Sequence, residues 1–277
     1  MLDQSHFGDL ADPAVVLLVF IVGACVGSFL NVCITRIPEH ESVVLPRSRC
    51  RECLAPIAWI DNLPILSFVL LKGRCRTCGT SIPGRYLVVE LLTALLAVAV
   101  FVRFGSSLLF LVHFLFIGAL IVVAFTDLEV RIVPDRISLT GIALGVGVAL
   151  LTWSFGVEDF PTPLDSLLGV ILGGGLLLAV AWTYERLTGR AGLGGGDVKL
   201  LAMIGAFLGW SGVPVTLFVG ALSGSLWGIG LMLAKGVGRK HALPFAPFLC
   251  AGALFYLMWG PEFADRFLVI GGRSWSP

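Results

Sequence analysis

The sequence predicts an all-α fold, a polytopic bundle of about eight transmembrane helices carrying one small, zinc-stapled cytoplasmic loop. Three observations predict it. Of 277 residues, 57% are hydrophobic and only 13% charged, where a soluble chain would carry roughly 25% charged residues; mean hydropathy is +0.96. The basic residues are confined to alternate connections between apolar runs. Four of the seven cysteines fall in one such connection as two CxxC pairs.

The first apolar run, 14–35, follows the acidic residues Asp3, Asp9 and Asp12. It lacks the positive flank of a cleaved signal peptide and reads as a retained span. Further runs lie at 86–102, 107–126, 136–153, 165–184, 198–212, 214–234 and 244–260, with a break expected at Ser211–Pro214. All but Arg103, Arg266 and Arg273 of the 19 Lys and Arg fall in 36–85, 127–136, 185–199 and 235–243. Positive-inside asymmetry assigns those connections to the cytoplasm and both termini to the outside. The net charge of +1 identifies no partner; membrane lipid is the expected surrounding, and no nucleic acid is expected. The glycines at Gly141/Gly145, Gly169/Gly173 and Gly220/Gly224/Gly228 are spaced to put small residues on one helix face, which permits close helix packing. The expected domains are an N-terminal span (1–35), a cysteine loop (36–85), a second span (86–106), a membrane domain holding the acids discussed below (107–260) and an external tail (261–277).

The loop 36–85 is too small to bury a core of its own and needs a staple. Cys50-Arg51-Glu52-Cys53 and Cys75-Arg76-Thr77-Cys78 supply one. Four thiolates converging at about 2.3 Å make a closed, structural zinc site with no open position for catalysis. Two disulfides are the other reading, disfavoured in a reducing cytoplasm. Cys25, Cys33 and Cys250 stand in apolar runs and read as small packing residues.

The stretch Gly192-Leu193-Gly194-Gly195-Gly196-Asp197-Val198-Lys199 puts a carboxylate after a run of glycines at the start of a span. Such backbone is tolerated beside a membrane only where protein or a water-filled cavity covers it, and an acid there is a functional candidate. Gly194 and Gly196, lacking side chains, would let a substrate backbone approach Asp197. Asp127, closing the third span, is a partner on the same membrane face. Two carboxylates sharing a site hold a proton between them, activate water and protonate a leaving amine, as aspartic proteases do. By position alone Asp135 and Glu129 are rival partners. Two unrelated interfacial acids, each paired with an Arg or Lys, would look the same, and a transporter would use broken, glycine-rich segments equally well. No Gly-x-Ser-x-Gly elbow or His-Glu-x-x-His is present. The helix dipole disfavours negative charge at Asp127, at a C-terminus, and favours it at Asp197, at an N-terminus, so Asp127 is expected to carry the shared proton.

Four features together resemble the type IV prepilin peptidases, membrane aspartic proteases of the GxGD class. They are Gly27-Ser28-Phe29-Leu30-Asn31-Val32; the paired CxxC loop with Asn62-Leu63-Pro64, Ile82-Pro83-Gly84-Arg85 and Glu90; the block from Thr126-Asp127 to Pro134-Asp135; and Gly194-Gly195-Gly196-Asp197 with Lys199 behind it. Pro244-Phe245-Ala246-Pro247-Phe248-Leu249 is similar to a late element of the family. The resemblance implies a bifunctional inner-membrane enzyme of bacteria. It would cut the leader from prepilins or type II pseudopilins after a glycine, on the cytoplasmic side, and N-methylate the new N-terminus with S-adenosylmethionine. It makes Asp127 and Asp197 the catalytic pair, in preference to Asp135 and Glu129. It associates methyl transfer with the N-terminal part of the chain and does not say which residues bind the donor.

Overall fold

The computed structural model describes residues 12–157, 159–189, 194–235 and 244–267. Asp3 and Asp9, Gly192 and Leu193, residues 236–243 and the tail from 268 onward lie outside that set. Every long element is a helix: α1 (Pro13–Arg36), α2 (Leu66–Leu70), α3 (Arg85–Phe104), α4 (Leu108–Val130), α5 (Asp135–Ser154), α6 (Pro163–Thr188), α7 (Gly195–Lys235) and α8 (Ala246–Phe267), with a 3-10 turn at Trp59–Asn62. Six of them are long and apolar enough to cross a membrane; Ala246–Gly260 is a shorter apolar helix. Their outward faces carry large apolar side chains, such as Leu17, Leu18 and Ile21 on α1, which water would not tolerate and lipid does.

The eight expected apolar segments map onto these helices with one boundary moved. α7 is 41 residues long, about 60 Å at 1.5 Å per residue, twice the roughly 30 Å of a hydrocarbon core. It is two helices joined at a kink, and the kink is at Gly209 (φ 72°, ψ 177°), not at Ser211–Pro214; Pro214 lies inside the second half. Pro is accommodated early in a helix, where few amides have carbonyl partners, whereas Gly209 takes the positive φ that other residues avoid.

The chain divides into two compact units at Val122/Val123. In the first, α1 and α3 pack through small residues: a side chain at Gly23 would strike Ala94, and one at Gly27 would strike Glu90. Asn31, 1% exposed, donates from Nδ2 to the carbonyl of Tyr86 at 3.1 Å, so the Gly27–Asn31 motif is a helix seam. Cys33 is buried as expected, whereas Cys25 is exposed, because its position on α1 faces away from the α3 contact. His113 stacks on Phe104 with 4.3 Å between ring centroids, a packing residue.

In the second unit the first half of α7 is the core. Leu200, Leu201, Met203, Ile204 and Ala206 are fully or almost fully buried. The expected packing glycines surround it. Gly141 faces Met203, Gly145 faces Ala206, Gly173 meets the Leu201 carbonyl, and Gly169 and Gly205 meet backbone to backbone. Ser166 Oγ donates to the Ala206 carbonyl at 2.7 Å. Gly220 and Gly224, on the second half, accept Phe248 of α8, and Cys250 is buried there. Asp197 therefore opens a helix clamped on several sides.

Candidate active site

Asp127 lies in the last turn of α4 and is 7% exposed. Asp197 lies in the first turn of α7 and is half-buried, its amide donating to the Gly194 carbonyl at 3.2 Å. Both line a cavity of about 250 Å³ together with Arg131, Ile132, Val133, Asp135, Gly194 and Gly196.

Asp135 lines the same cavity but has another occupation: Lys199 Nζ donates to its two oxygens at 2.7 and 2.8 Å. Glu129 is not among the lining residues. Asp127 has a partner that side-chain patterns do not announce. Its Oδ2 accepts from the backbone amide of Ala246 at 3.2 Å, and Ala246 is the first residue of α8. Asp127 thus ends one helix and faces the start of another, where unpaired amides and the dipole favour negative charge. The asymmetry expected from helix ends no longer separates the two acids. The only sequence signal for this contact is Pro247, since Pro in the first turn marks a helix start.

The two glycines have different neighbours. A side chain at Gly194 would touch only Asp197 Oδ2, at 3.8 Å, whereas one at Gly196 would strike Val133 Cβ at 2.8 Å. Gly196 is held against protein, so its missing side chain is needed for packing before any substrate arrives. The loop wall bends sharply at Arg131, whose φ is +56° and whose amide closes on the Asp127 carbonyl at 3.0 Å.

In the first unit, the Sγ atoms of Cys50, Cys53, Cys75 and Cys78 all lie within 4.8 Å of one another, with Cys50 and Cys78 at 3.8 Å. A tetrahedron of Zn–S bonds near 2.3 Å has edges of about 3.8 Å, so the cluster fits zinc. The two knuckles repeat one local structure. Cys50 N bonds Ala55 O and Cys75 N bonds Thr80 O, both at 2.9 Å; bridges join Arg49 to Pro56 and Arg74 to Ser81; Leu54 and Gly79 both have positive φ. The Thr80 hydroxyl, then its amide, lower Cys78 to about 6. Backbone amides of Cys53 and Glu52 lower Cys50. At Cys53 the Ala55 amide lowers the thiol, but desolvation and the neighbouring sulfurs outweigh it and raise it to about 11. Thiolates this crowded ionise together only around a cation. Arg76 grips Asp61 with two nitrogens, at 2.6 and 2.8 Å, tying the 3-10 turn to the second knuckle and holding the Asp61 carboxyl below its usual range.

A family model described as the Type IV leader peptidase family matches residues 114–229, and one described as the Bacterial Peptidase A24 N-terminal domain matches residues 21–104. No solved structure matches. A prepilin leader peptidase/N-methyltransferase of Aeromonas salmonicida is 34% identical over 91% of this chain and 93% of its own length. One of Bacillus subtilis is 36% identical over 91% and 97%, and one of Pseudomonas aeruginosa is 32% identical over 94% and 95%. Relatives this similar over nearly the whole chain, with both halves matched by their own models, leave one conclusion: the chain belongs to the type IV prepilin leader peptidase/N-methyltransferase family, peptidase A24.

Proposed function

We propose that this chain is a bifunctional membrane enzyme that removes the leader of type IV prepilins or type II pseudopilins after a glycine and methylates the new N-terminus. Membership of the family supports the pair of activities. The observation that carries the catalytic assignment is that Asp127 and Asp197 line one cavity while their rival Asp135 is taken by Lys199.

In the proposed hydrolysis, one carboxyl of the pair is protonated and the other ionised. The ionised carboxylate takes a proton from a water held between them, and the water oxygen attacks the scissile carbonyl. The protonated carboxyl polarises that carbonyl and then supplies the proton that the departing amine needs. Because Asp127 Oδ2 already accepts the Ala246 amide, a proton held by Asp127 sits on Oδ1. Gly194, with open space around it apart from Asp197, is where an extended substrate backbone can pass.

Cys50, Cys53, Cys75 and Cys78 hold a structural zinc in this reading; the metal supplies a crosslink for a loop without a core. The acceptor amine is methylated by S-adenosylmethionine. The distribution of Lys and Arg supports an enzyme of the bacterial inner membrane with its acid pair facing the cytoplasm and its termini outside. Of the acids on that face, Asp61 is occupied by Arg76 and is not free to receive a basic leader.

The test is the purified protein with a prepilin, followed by mass spectrometry. Leader loss together with a gain of one methyl group supports the reading; neither change overturns it.

A further inference from the structure

A second, larger cavity, of about 640 Å³, lies in the first unit between the Arg36 end of α1 and the cysteine loop. We propose that it is the methyl-donor site, an inference that rests on the methyl-transfer reading above. The two reactions need unlike surroundings. Hydrolysis uses paired acids. The donor carries a carboxylate and a purine beside an ammonium and a sulfonium, so it needs one cationic group for the carboxylate, aromatic faces for the purine and the sulfonium, and neutral oxygens for the ammonium. Among the described residues Arg47, the rings of Trp59 and Phe29, and the side-chain oxygens of Ser48 and Asn62 line this cavity, together with Arg36. Its volume falls in the roughly 300–1,000 Å³ range of small-molecule sites.

The lining residues divide by chemistry. Arg36 is already committed: its two terminal nitrogens donate to the Ser42 and Pro46 carbonyls at 2.9 and 2.8 Å, which folds the 42–46 segment into a wall. Arg47, next along that wall, forms no ion pair among the described residues and is exposed. A planar guanidinium in that position suits a carboxylate. Trp59, 77% exposed, offers a ring for a purine to stack on. Its turn is fixed at the adjacent Asp61 by Arg76, so the zinc-binding knuckle and this wall are mechanically joined.

Glu90 holds two walls at once. It is 7% exposed, its Oε2 accepts from the Ile65 amide at 2.7 Å, and Ser28 bonds to it; Ser28 and Pro64 both line the cavity. Ile65 has φ +64°, a conformation that a β-branched residue avoids unless its surroundings impose it. A carboxylate buried among membrane helices is costly, and here it fixes the bend that shapes the site. Glu90 is a positioning residue. In the transfer itself, the neutral acceptor amine uses its lone pair to form the new N–C bond as the donor's C–S bond breaks. The bond pair stays on sulfur, the sulfonium becomes a neutral thioether, and the methylated ammonium loses its proton to water.

The experiment uses the full-length protein in nanodiscs, wild type and the variants Trp59→Ala and Arg47→Glu. S-adenosylhomocysteine affinity is read by calorimetry, leader loss and methylation by mass spectrometry, and zinc per chain by metal analysis. The expected result is an affinity weaker by about tenfold or more in each variant, methylation reduced in step, and leader cleavage and zinc unchanged. Glu90→Ala raises the donor KM more than it lowers kcat, and Glu90→Gln, which keeps an acceptor for Ile65, recovers most of the loss. Unchanged S-adenosylhomocysteine affinity in both Trp59→Ala and Arg47→Glu overturns the site, as does loss only of a co-purifying anionic phospholipid in Arg47→Glu, which would make the cavity a lipid site. A wild-type protein that cleaves but neither methylates nor binds S-adenosylhomocysteine overturns the methyl-transfer reading itself.

Discussion

Asp127 Oδ2 accepts a hydrogen bond from the amide of Ala246, 119 positions further along the chain. One catalytic candidate is thereby oriented by the start of α8, which among the described residues contributes no acid to the cavity. The bond is charge-assisted when the carboxylate is ionised, a class worth about 1.5–3 kcal/mol.

Ala246→Pro removes that bond at the first residue of its helix, where the backbone tolerates Pro; because Ala246 is fully buried, rates are compared per folded enzyme. Leader cleavage should fall by about tenfold to a hundredfold, from the loss of that bond. Ala246→Gly, which keeps the amide, should stay near wild type. The check is initial rates of leader loss in matched membrane preparations. Equal rates in Ala246→Pro and Ala246→Gly would remove the amide from the account.

The contact between Gly196 and Val133 separates packing from substrate approach. Gly196→Ala should lose cleavage through overpacking, which costs about 1–3 kcal/mol, and Val133→Gly in the same chain should restore part of it. Gly194→Ala, with no wall to strike, should fold normally and raise the KM for prepilin. Rescue is read as a positive coupling in a double-mutant cycle. Purely additive effects at Gly196 and Val133 would mean that Gly196 serves the substrate instead.

The two knuckles differ at one equivalent position: Gly79 carries its positive φ freely, and Leu54 carries the same sign of φ with a side chain. The left-handed conformation costs a non-glycine residue roughly 1–2 kcal/mol. Leu54→Gly should therefore slow zinc release to a chelator, and Gly79→Val should speed it. Stoichiometric removal of the metal, or Cys50→Ser with Cys75→Ser, should abolish methylation before it abolishes cleavage. The readouts are chromogenic zinc release and mass spectrometry of the product.

The fold was legible wherever composition alone decides: apolar runs, basic connections and packing glycines all mark helices that the structure contains. The four-cysteine cluster was legible because two CxxC pairs are side chains at fixed spacing, and their sulfurs do converge. Position alone leaves Asp135 open as a partner for Asp197; the contacts of Lys199 Nζ with Asp135 and of the Ala246 amide with Asp127 have no mark in the sequence. The break in α7 was misplaced because glycine and proline both signal it, and only the backbone reveals that Gly209 turns while Pro214 does not. The Ala246 amide was invisible because a backbone donor leaves no mark in a sequence. Leu54 was invisible for a related reason, since nothing in its residue type announces a positive φ.

The most direct measurement is prepilin cleavage by Asp127→Asn, Asp197→Asn and Asp135→Asn, followed by mass spectrometry, with methylation of a pre-cleaved pilin measured in parallel. Asp127→Asn and Asp197→Asn should each lose cleavage by about 10²–10⁴-fold, the range for removing a general acid or base, while methylation survives. Asp135→Asn should lose much less, because an exposed ion pair contributes only about 0–1 kcal/mol. Cleavage at the wild-type rate by either Asp127→Asn or Asp197→Asn would contradict the pair.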